Sequence, residues 1–427
     1  MSAPSRTAGP AWWTFIIDNS LLLVCGTLAA LIWANIDLHS YEAVAHGPLH
    51  FVVNDIGMVF FFALAAKEIV ESTLPGGPLQ SPREAAVPLL AAAGGMLVPA
   101  GIFVLLASVA DRPELTRGWA VPCATDIAFS YMAARLIFPR NHPAIPFLLL
   151  LAIADDALGL ILLAIFYPSG PLSLVRFMAL MIPAIAVSYW LKRRCVLNYW
   201  PYVLFGGGLS WWALYLGGVH AALAMVPILP FMPHAKRDLG IYDAREDYLP
   251  DTMNRFEHAF NVPVQVVLLL FGLVNAGVPF GSIGSGTWIV FTGLVIGKPI
   301  GIVLMTFVGV MMGLKAPGGL TYAHTLVLGV AAGIGFTVAL FFASAAFPPG
   351  SVLDEVKMGA LLSFLAAPLA IALGRSIGLR PGGRSAEAAS ARVGATVIRM
   401  ECSKLVEPLG RTSAMLASRF RLVRNYP

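Results

Sequence analysis

The sequence contains little charge. Only 12% of its 427 residues are Asp, Glu, Lys or Arg, whereas soluble domains contain about one quarter, and 58% are hydrophobic. This composition excludes an ordinary soluble globular protein. It indicates a chain that crosses a membrane several times.

Cysteine is also scarce. The four cysteines are scattered along the chain, and none belongs to a CxxC pair: Cys25, Cys123, Cys195 and Cys402. This pattern argues against a disulfide framework and against a zinc site. The net charge of +5 comes largely from the tail after Gly378, which holds nine Lys and Arg against three Glu. We interpret the tail as a cytoplasmic segment attracted to anionic lipid rather than as a nucleic-acid-binding arm.

Long apolar stretches dominate the rest of the chain. A membrane-spanning helix needs about 20 mostly apolar residues. Twelve stretches qualify as candidate spans: 14–35, 52–70, 85–109, 119–138, 144–167, 172–190, 198–215, 217–231, 258–280, 287–312, 321–347 and 353–377. The predicted fold is therefore an all-α membrane protein. It has a cytoplasmic N-terminus at 1–13, a twelve-helix transporter domain at 14–378, and a basic, partly disordered tail at 379–427.

The basic residues of the loops alternate between the two sides. One set of loops holds Lys67 and Arg83, Arg135 and Arg140, the 192–194 run, four basic residues between 236 and 255, and Lys315. The opposite set holds Arg112, Arg117, Arg176 and Lys357. Because basic loops stay in the cytoplasm, both termini are predicted to be cytoplasmic.

Four charged residues interrupt the candidate spans: Asp126, Asp155, Asp156 and Lys298. Each costs about 3 kcal/mol at a helix centre, so together they indicate pairing or a wet cavity. Asp155 and Asp156 are adjacent and point about 100° apart on a helix. A buried carboxylate can hold either a proton or a hard cation such as Na⁺. Lys298 is too central to reach an interface, and we expect an aspartate partner for it.

Two spans carry signs of a broken helix. Pro122 precedes Thr125 and Asp126 in the fourth span, and Gly333 and Gly335 lie in the middle of the eleventh. The two broken spans occupy the middle of spans 3–5 and of spans 10–12. Matched interruptions of this kind indicate inverted repeats with a site at the membrane midplane.

These residues together resemble the NhaA family of bacterial Na⁺/H⁺ antiporters. The similar stretches are WAVPCATDIAF (119–129), AIADDALGLILLAIFY (152–167), GVHAALA (218–224), FGLVNAGV (271–278), GKPIGI (297–302) and GIGFTVALFFASAAF (333–347). The resemblance implies crossed broken helices in spans 4 and 11. It also implies that Asp156 is the main cation and proton carrier with Asp155 beside it, that Lys298 pairs with Asp155, and that Thr125 and Asp126 lie at the crossing.

The resemblance further implies a transporter rather than an enzyme. It would exchange Na⁺, and also Li⁺, for H⁺ across the bacterial inner membrane without a cofactor, and so contribute to pH and sodium homeostasis. A homodimer would be expected from a hairpin in the first external loop. Here that loop, about 36–51, is short and lacks strand alternation.

One region departs from the family pattern. The end of the second span reads AAKEIVE (65–71), with Lys67 where the family is expected to carry its first glutamate. That region belongs to the family's pH-sensing face, together with Glu71 and with Glu257 and His258 at the ninth span. A fixed positive charge at Lys67 is expected to repel entering Na⁺ and to alter the pH response.

Two other classes use related features. A sodium-coupled organic-anion symporter can have crossed broken helices, but it predicts a larger substrate cavity and no lysine opposite the aspartates. An intramembrane aspartyl protease uses two aspartates on separate helices in a GxGD pattern. The prominent aspartates here are adjacent, and no GxGD occurs.

Overall fold

The computed structural model describes residues 20–75, 77, 79, 82–139, 142–233, 251–315 and 318–379. The regular secondary structure of these ranges is helical. The all-α prediction is therefore confirmed for this part of the chain. The predicted N-terminal segment 1–13 and all but the first residue of the predicted tail lie outside the described residues.

The helices are numbered here in chain order. They are α1 Leu21–Ile36, α2 Leu38–Ala45, α3 Pro48–Ser72, α4 Pro82–Val109, α5 Ile127–Ile137, α6 Ala144–Phe166, α7 Leu174–Arg193, α8 Gly208–Gly217, α9 Thr252–Asn275, α10 Ser285–Met311, α11 Tyr322–Ala332, α12 Phe336–Ala346 and α13 Ser351–Ser376. Short polar side chains start several of them, because a side-chain oxygen can accept a free backbone N–H of the first turn. Asp37 accepts from Ser40 at α2, and Asp251 accepts from Asn254 at α9.

Seven helices of the described residues are long and apolar enough to cross a membrane: α3, α4, α6, α7, α9, α10 and α13. The pair α11 and α12 makes an eighth candidate, bent by 53°. The remaining predicted spans are shorter or irregular. Helices α1 and α5 have 16 and 11 residues, and the predicted span 217–231 contains only the 3₁₀ turns Ala221–Leu223 and Leu229–Phe231. The count of twelve spans and the inverted repeats stay predictions.

The loop between the first two spans is helical. It contains α2 and leads directly into α3 at Pro48. The absence of strand alternation in its sequence agrees with this outcome. A dimer-forming hairpin is therefore not present at these positions.

Three of the spans contain a π-helical turn. The turns are Val52–Gly57 in α3, Tyr202–Gly207 immediately before α8, and Gly293–Gly297 in α10. Such a turn inserts one extra residue into the helix, so every side chain beyond it is rotated relative to a regular helix. In α10 the turn ends directly before Lys298, and in α3 it precedes Lys67 and Glu68.

The helix contacts form two bundles. One contains α4, α5, α6 and α10 to α13, and the other contains α1, α3, α7, α8 and α9. The bundles meet where α3 packs against α6 and where α9 packs against α12. Helix α6 carries both adjacent aspartates, so these aspartates lie on a helix that packs against the second bundle.

Close helix packing places Lys298 inside the first bundle. Helices α4 and α10 approach so tightly that a Cβ built on Gly301 would lie 2.0 Å from the carbonyl oxygen of Gly94. Small residues at such contacts let two backbones touch within a membrane. Lys298, one turn before Gly301, is consequently fully buried.

Candidate ion-binding site

The two broken spans meet at their breaks. The fourth span consists of the 3₁₀ turn Val121–Cys123, an extended segment at 124–126, and α5. The eleventh span breaks at residues 333–335, between α11 and α12. The backbone N–H of Asp126 donates to the carbonyl of Ile334 at 2.7 Å, so one break is hydrogen-bonded to the other.

The glycines of the eleventh span permit this approach. A Cβ on Gly333 would lie 2.5 Å from the carbonyl oxygen of Leu294, and one on Gly335 would lie 3.0 Å from that of Ala124. Both glycines have negative φ angles. Their lack of a side chain therefore serves close backbone contact rather than an unusual backbone conformation.

Asp126 caps both half-helices that begin at the crossing. Its Oδ1 accepts from the N–H of Phe129 in α5 at 3.4 Å. Its Oδ2 accepts from the N–H of Thr337 in α12 at 3.3 Å and from the Thr337 hydroxyl. A carboxylate at two helix N-termini is stabilised by both helix dipoles. The side chain is buried, at 6% exposure.

Asp155 lies in a fully formed ion pair. Its Oδ2 accepts from Lys298 Nζ at 2.7 Å and also from the Thr125 hydroxyl. Lys298 additionally donates to the carbonyl of Cys123. The expected aspartate partner of Lys298 is thus Asp155. The pair offsets the charge of both side chains in a region that excludes water.

Asp156 has a different environment. It is half-buried, and it lines two cavities. The smaller, of about 20 Å³, is also lined by Thr125 and Asp155, and its volume suits a single water molecule or ion. The larger, of about 190 Å³, extends from Asp156 and Asp126 to the polar side chains of Ser20, Glu68 and Gln265. Asp156 therefore stands between a chamber with room for one ion, called here the one-ion chamber, and a wider cavity that contains several polar side chains.

Glu68 is an acidic cavity residue that the sequence analysis did not single out. It lines the larger cavity together with Asp156, whereas its neighbour Lys67 does not. Lys67 turns away and forms ion pairs with Glu71 and Glu257, each at 2.6 Å. Two carboxylates therefore surround this ammonium, and the expected effect of Lys67 on Na⁺ entry and on the pH response stays a prediction. His258 is exposed beside Glu257.

The site combines carboxylate, hydroxyl and carbonyl oxygens with one buried cation. Hard cations such as Na⁺ bind to oxygen ligands of this kind, and a proton competes for the same carboxylates. Crossed broken helices that carry ionisable groups at the centre of a membrane bundle define the class of secondary active transporters.

Comparison with known proteins identifies the family. The profile of the Na⁺/H⁺ antiporter 1 family matches residues 17–373. The chain belongs to this family. It is 46% identical over 377 residues to the Na⁺/H⁺ antiporter NhaA of Geotalea uraniireducens, a match that covers 86% of this chain and 97% of the relative. It is 45% identical over 376 residues to NhaA of Desulfitobacterium hafniense, covering 86% of this chain and 96% of the relative. These relatives are transporters and not enzymes.

The fold also has a solved counterpart. The structure of the sodium proton antiporter MjNhaP1 from Methanocaldococcus jannaschii at pH 8 superposes with a TM-score of 0.51. The match covers 84% of this chain and 92% of the other, at 16% sequence identity. At this identity the likeness concerns the fold alone.

Proposed function

We propose that the protein exchanges Na⁺, and also Li⁺, for H⁺, with Asp156 as the main carrier of the cation and the proton. The observation that carries the proposal is the contrast between the two adjacent aspartates. Lys298 offsets the charge of Asp155, whereas Asp156 faces both cavities without such a partner among the described contacts. A carboxylate left free in this way can bind whichever cation reaches it.

Exchange follows from competition for one carboxylate. Na⁺ binds to the deprotonated form of Asp156, and Thr125 and Asp155 supply further oxygens at the wall of the same chamber. A proton arriving at Asp156 cancels its charge and releases the cation. Since the two ions cannot occupy the carboxylate together, each passage of one across the membrane is coupled to the return of the other.

The larger cavity supplies the route to one side of the membrane. It reaches Ser20, directly before α1, and Glu68, near the end of α3. The distribution of basic residues assigns this end to the cytoplasm, with both termini on that side. Glu68 then adds a negative charge along the path of entering cations. The pH response expected for the family would involve Glu68 and a nearby cluster of charged and polar side chains: Lys67, Glu71, Glu257 and His258.

On the opposite side, polar contacts close the path. The amides of Asn54 and Asn275 donate to each other, at 3.3 and 2.9 Å, and Ser344 donates to Asn275 at 3.1 Å. These three residues join α3, α9 and α12, that is, both bundles. The described conformation corresponds to a transporter open to the cytoplasm and closed to the outside.

The cellular role follows from this activity. A bacterial inner-membrane protein that exports Na⁺ in return for H⁺ would contribute to sodium and pH homeostasis. Anionic lipid is the proposed partner of the basic tail, and a homodimer remains part of the proposal. The small chamber beside the aspartates and the paired Lys298 disfavour an organic-anion symporter, which needs room for a larger substrate.

The test is transport by purified protein in liposomes. An imposed proton gradient, followed by a pH-sensitive dye, should collapse on addition of Na⁺ or Li⁺, and the response to K⁺ measures selectivity. Asp156→Asn should abolish the collapse while the protein still folds. Asp111→Asn is the matched control, because it makes the same chemical change at an exposed loop position that tolerates asparagine. Near-normal exchange by Asp156→Asn would contradict the proposal.

A further inference from the structure

Two histidines meet at the end of the first bundle where α6 and α11 begin. His142 lies two residues before α6, and His324 is the third residue of α11. Their ring centroids are 4.8 Å apart with an interplanar angle of 79°. The buried ring of Phe138 contacts both, at 4.9 and 6.0 Å. The two helix starts are therefore joined through these three rings.

Each histidine also caps its own helix. Nδ1 of His142 accepts the backbone N–H of Ala144 at 3.2 Å. Nδ1 of His324 accepts the N–H of Thr321 at 3.4 Å, and the Thr321 hydroxyl accepts the N–H of His324 at 3.2 Å. The second arrangement is a capping box in which histidine occupies the position that glutamate or glutamine usually takes.

Both caps require a neutral ring. A nitrogen that accepts an N–H carries no proton, so the single proton of each neutral imidazole lies on Nε2. Protonation turns Nδ1 into a donor and removes the cap. It also places two positive charges side by side at helix N-termini, where the helix dipoles oppose cations. Acid therefore weakens the contact in three ways at once.

The surroundings of His142 also favour its neutral form. Among the side chains that the structure describes, Arg135 on α5, Lys315 before α11 and Arg375 on α13 are exposed cations on or beside elements that pack against α6 and α11. Burial, followed by the charge of His324, lowers the pKa of His142 from its ordinary value of 6.5. A lowered pKa means that the folded state favours the neutral ring. The resulting stability is complete above that ordinary value and is lost as the pH falls below it.

We propose that His142 and His324 are positioning residues that hold the starts of α6 and α11 together only in their neutral forms, and that their protonation slows transport. Helix α6 carries Asp155 and Asp156, and α11 leads into the break at residues 333–335. Release of the two helix starts would thus loosen both sides of the ion site. This inference rests on the proposed function, and it concerns the maximal rate rather than ion binding.

The transport test separates this effect from competition at the site. Saturating Na⁺ displaces the protons that compete with it at Asp156. A decrease of the maximal rate in acid at saturating Na⁺ therefore results from protonation of other groups. The double variant His142→Asn, His324→Gln keeps an acceptor oxygen at each cap but cannot be protonated in this range. We expect the maximal rate to decrease between pH 7.5 and pH 5.5 in both proteins. The factor of decrease should be at least about three times larger in the wild type than in the double variant. His39→Asn, at an exposed position in α2, should follow the wild type.

Hydrogen exchange gives a readout that does not depend on transport. After correction for intrinsic exchange rates, peptides covering 142–147 and 321–326 should lose protection on acidification in the wild type and keep it in the double variant. Equal pH dependence of protection in the two proteins would overturn the inference, whether or not Na⁺ moves. The single variant His324→Gln serves the same comparison if the double variant does not fold. A lack of Na⁺-driven exchange by the wild type at pH 8 would instead count against the proposed function.

Discussion

Lys298 and Asp155 form an ion pair from which solvent is excluded. The Lys298 side chain is 0% exposed and that of Asp155 is 1% exposed. Their attraction is accordingly weakly screened, and the loss of either partner leaves a charge that water cannot reach. The second carboxylate oxygen, Oδ1 of Asp155, is buried without a protein partner. Asp155 also lines the one-ion chamber.

This pair predicts a measurable coupling. Lys298→Ala and Asp155→Asn should each lower the free energy of unfolding by about 3–5 kcal/mol, because each leaves the buried charge of the other side chain uncompensated. The double variant should recover part of the loss. Thermal unfolding in detergent, followed by tryptophan fluorescence, measures all four proteins of the cycle. Strictly additive losses would show that the two side chains act independently.

The crossing predicts a role for one hydroxyl. Thr337→Val removes the hydroxyl that donates to Asp126 and keeps the shape of the side chain. Loss of a hydrogen bond to a charged group costs about 1.5–3 kcal/mol, so the variant should unfold at lower temperature and exchange Na⁺ more slowly. Thr337→Ser restores the hydroxyl and should behave like the wild type. Similar defects in both variants would mean that the methyl group matters more than the hydrogen bond.

The ion pairs of Lys67 predict an effect on Na⁺ attraction. Lys67→Gln leaves Glu71 and Glu257 without their shared cation, close to the cavity that Glu68 lines. The added local negative charge should lower the KM for Na⁺ by about threefold at low ionic strength, and salt should diminish the effect. Lys67→Arg keeps the charge and is the control. An unchanged KM in Lys67→Gln at every salt concentration would place this cluster outside the cation path.

The contact of α4 and α10 predicts a steric effect on stability. A Cβ on Gly94 would lie 2.3 Å from the carbonyl oxygen of Gly301 and 2.4 Å from Cγ of Met305. Gly94→Ala should therefore separate the two helices and lower the free energy of unfolding by about 1–3 kcal/mol. Gly101→Ala in the same helix meets no atom within 4 Å, and it should be neutral or slightly stabilising. Equal unfolding temperatures for the two variants would refute the close-packing argument.

Composition and charge predicted the fold class and indicated several of the side chains that the structure brings together. The cost of burying ionisable groups made Asp126, Asp155 and Lys298 recognisable in the sequence, because such groups persist in a membrane only where they are paired or capped. The interrupted segments around Pro122 and Gly333 likewise indicated breaks, and the structure brings these breaks together. These inferences succeed because they depend on residue types rather than on the rotation of a helix.

The position of Lys67 relative to the cavity could not be predicted from the sequence, for the opposite reason. Which of two adjacent residues faces a cavity depends on helix rotation, and the π-helical turn Val52–Gly57 shifts that rotation for the rest of α3. The apolar pattern of a membrane helix gives little help, because lipid and protein neighbours are both apolar. Glu68 thus lines the cavity while Lys67 pairs elsewhere. The contact between the histidines at the starts of α6 and α11 could not be predicted from the sequence either, since it joins residues that are far apart in the chain.

The caps at Asp126 have a consequence for how the protein senses acidity. The N-termini of α5 and α12 contribute partial positive charges that belong to the peptide groups themselves. Peptide groups neither gain nor lose protons across the pH range in which cells live. These two helix ends therefore provide a constant electrical background, identical in acid and in alkali. Every pH-dependent change at the centre of the membrane must then be supplied by a small number of side chains, each of which can be replaced and measured separately.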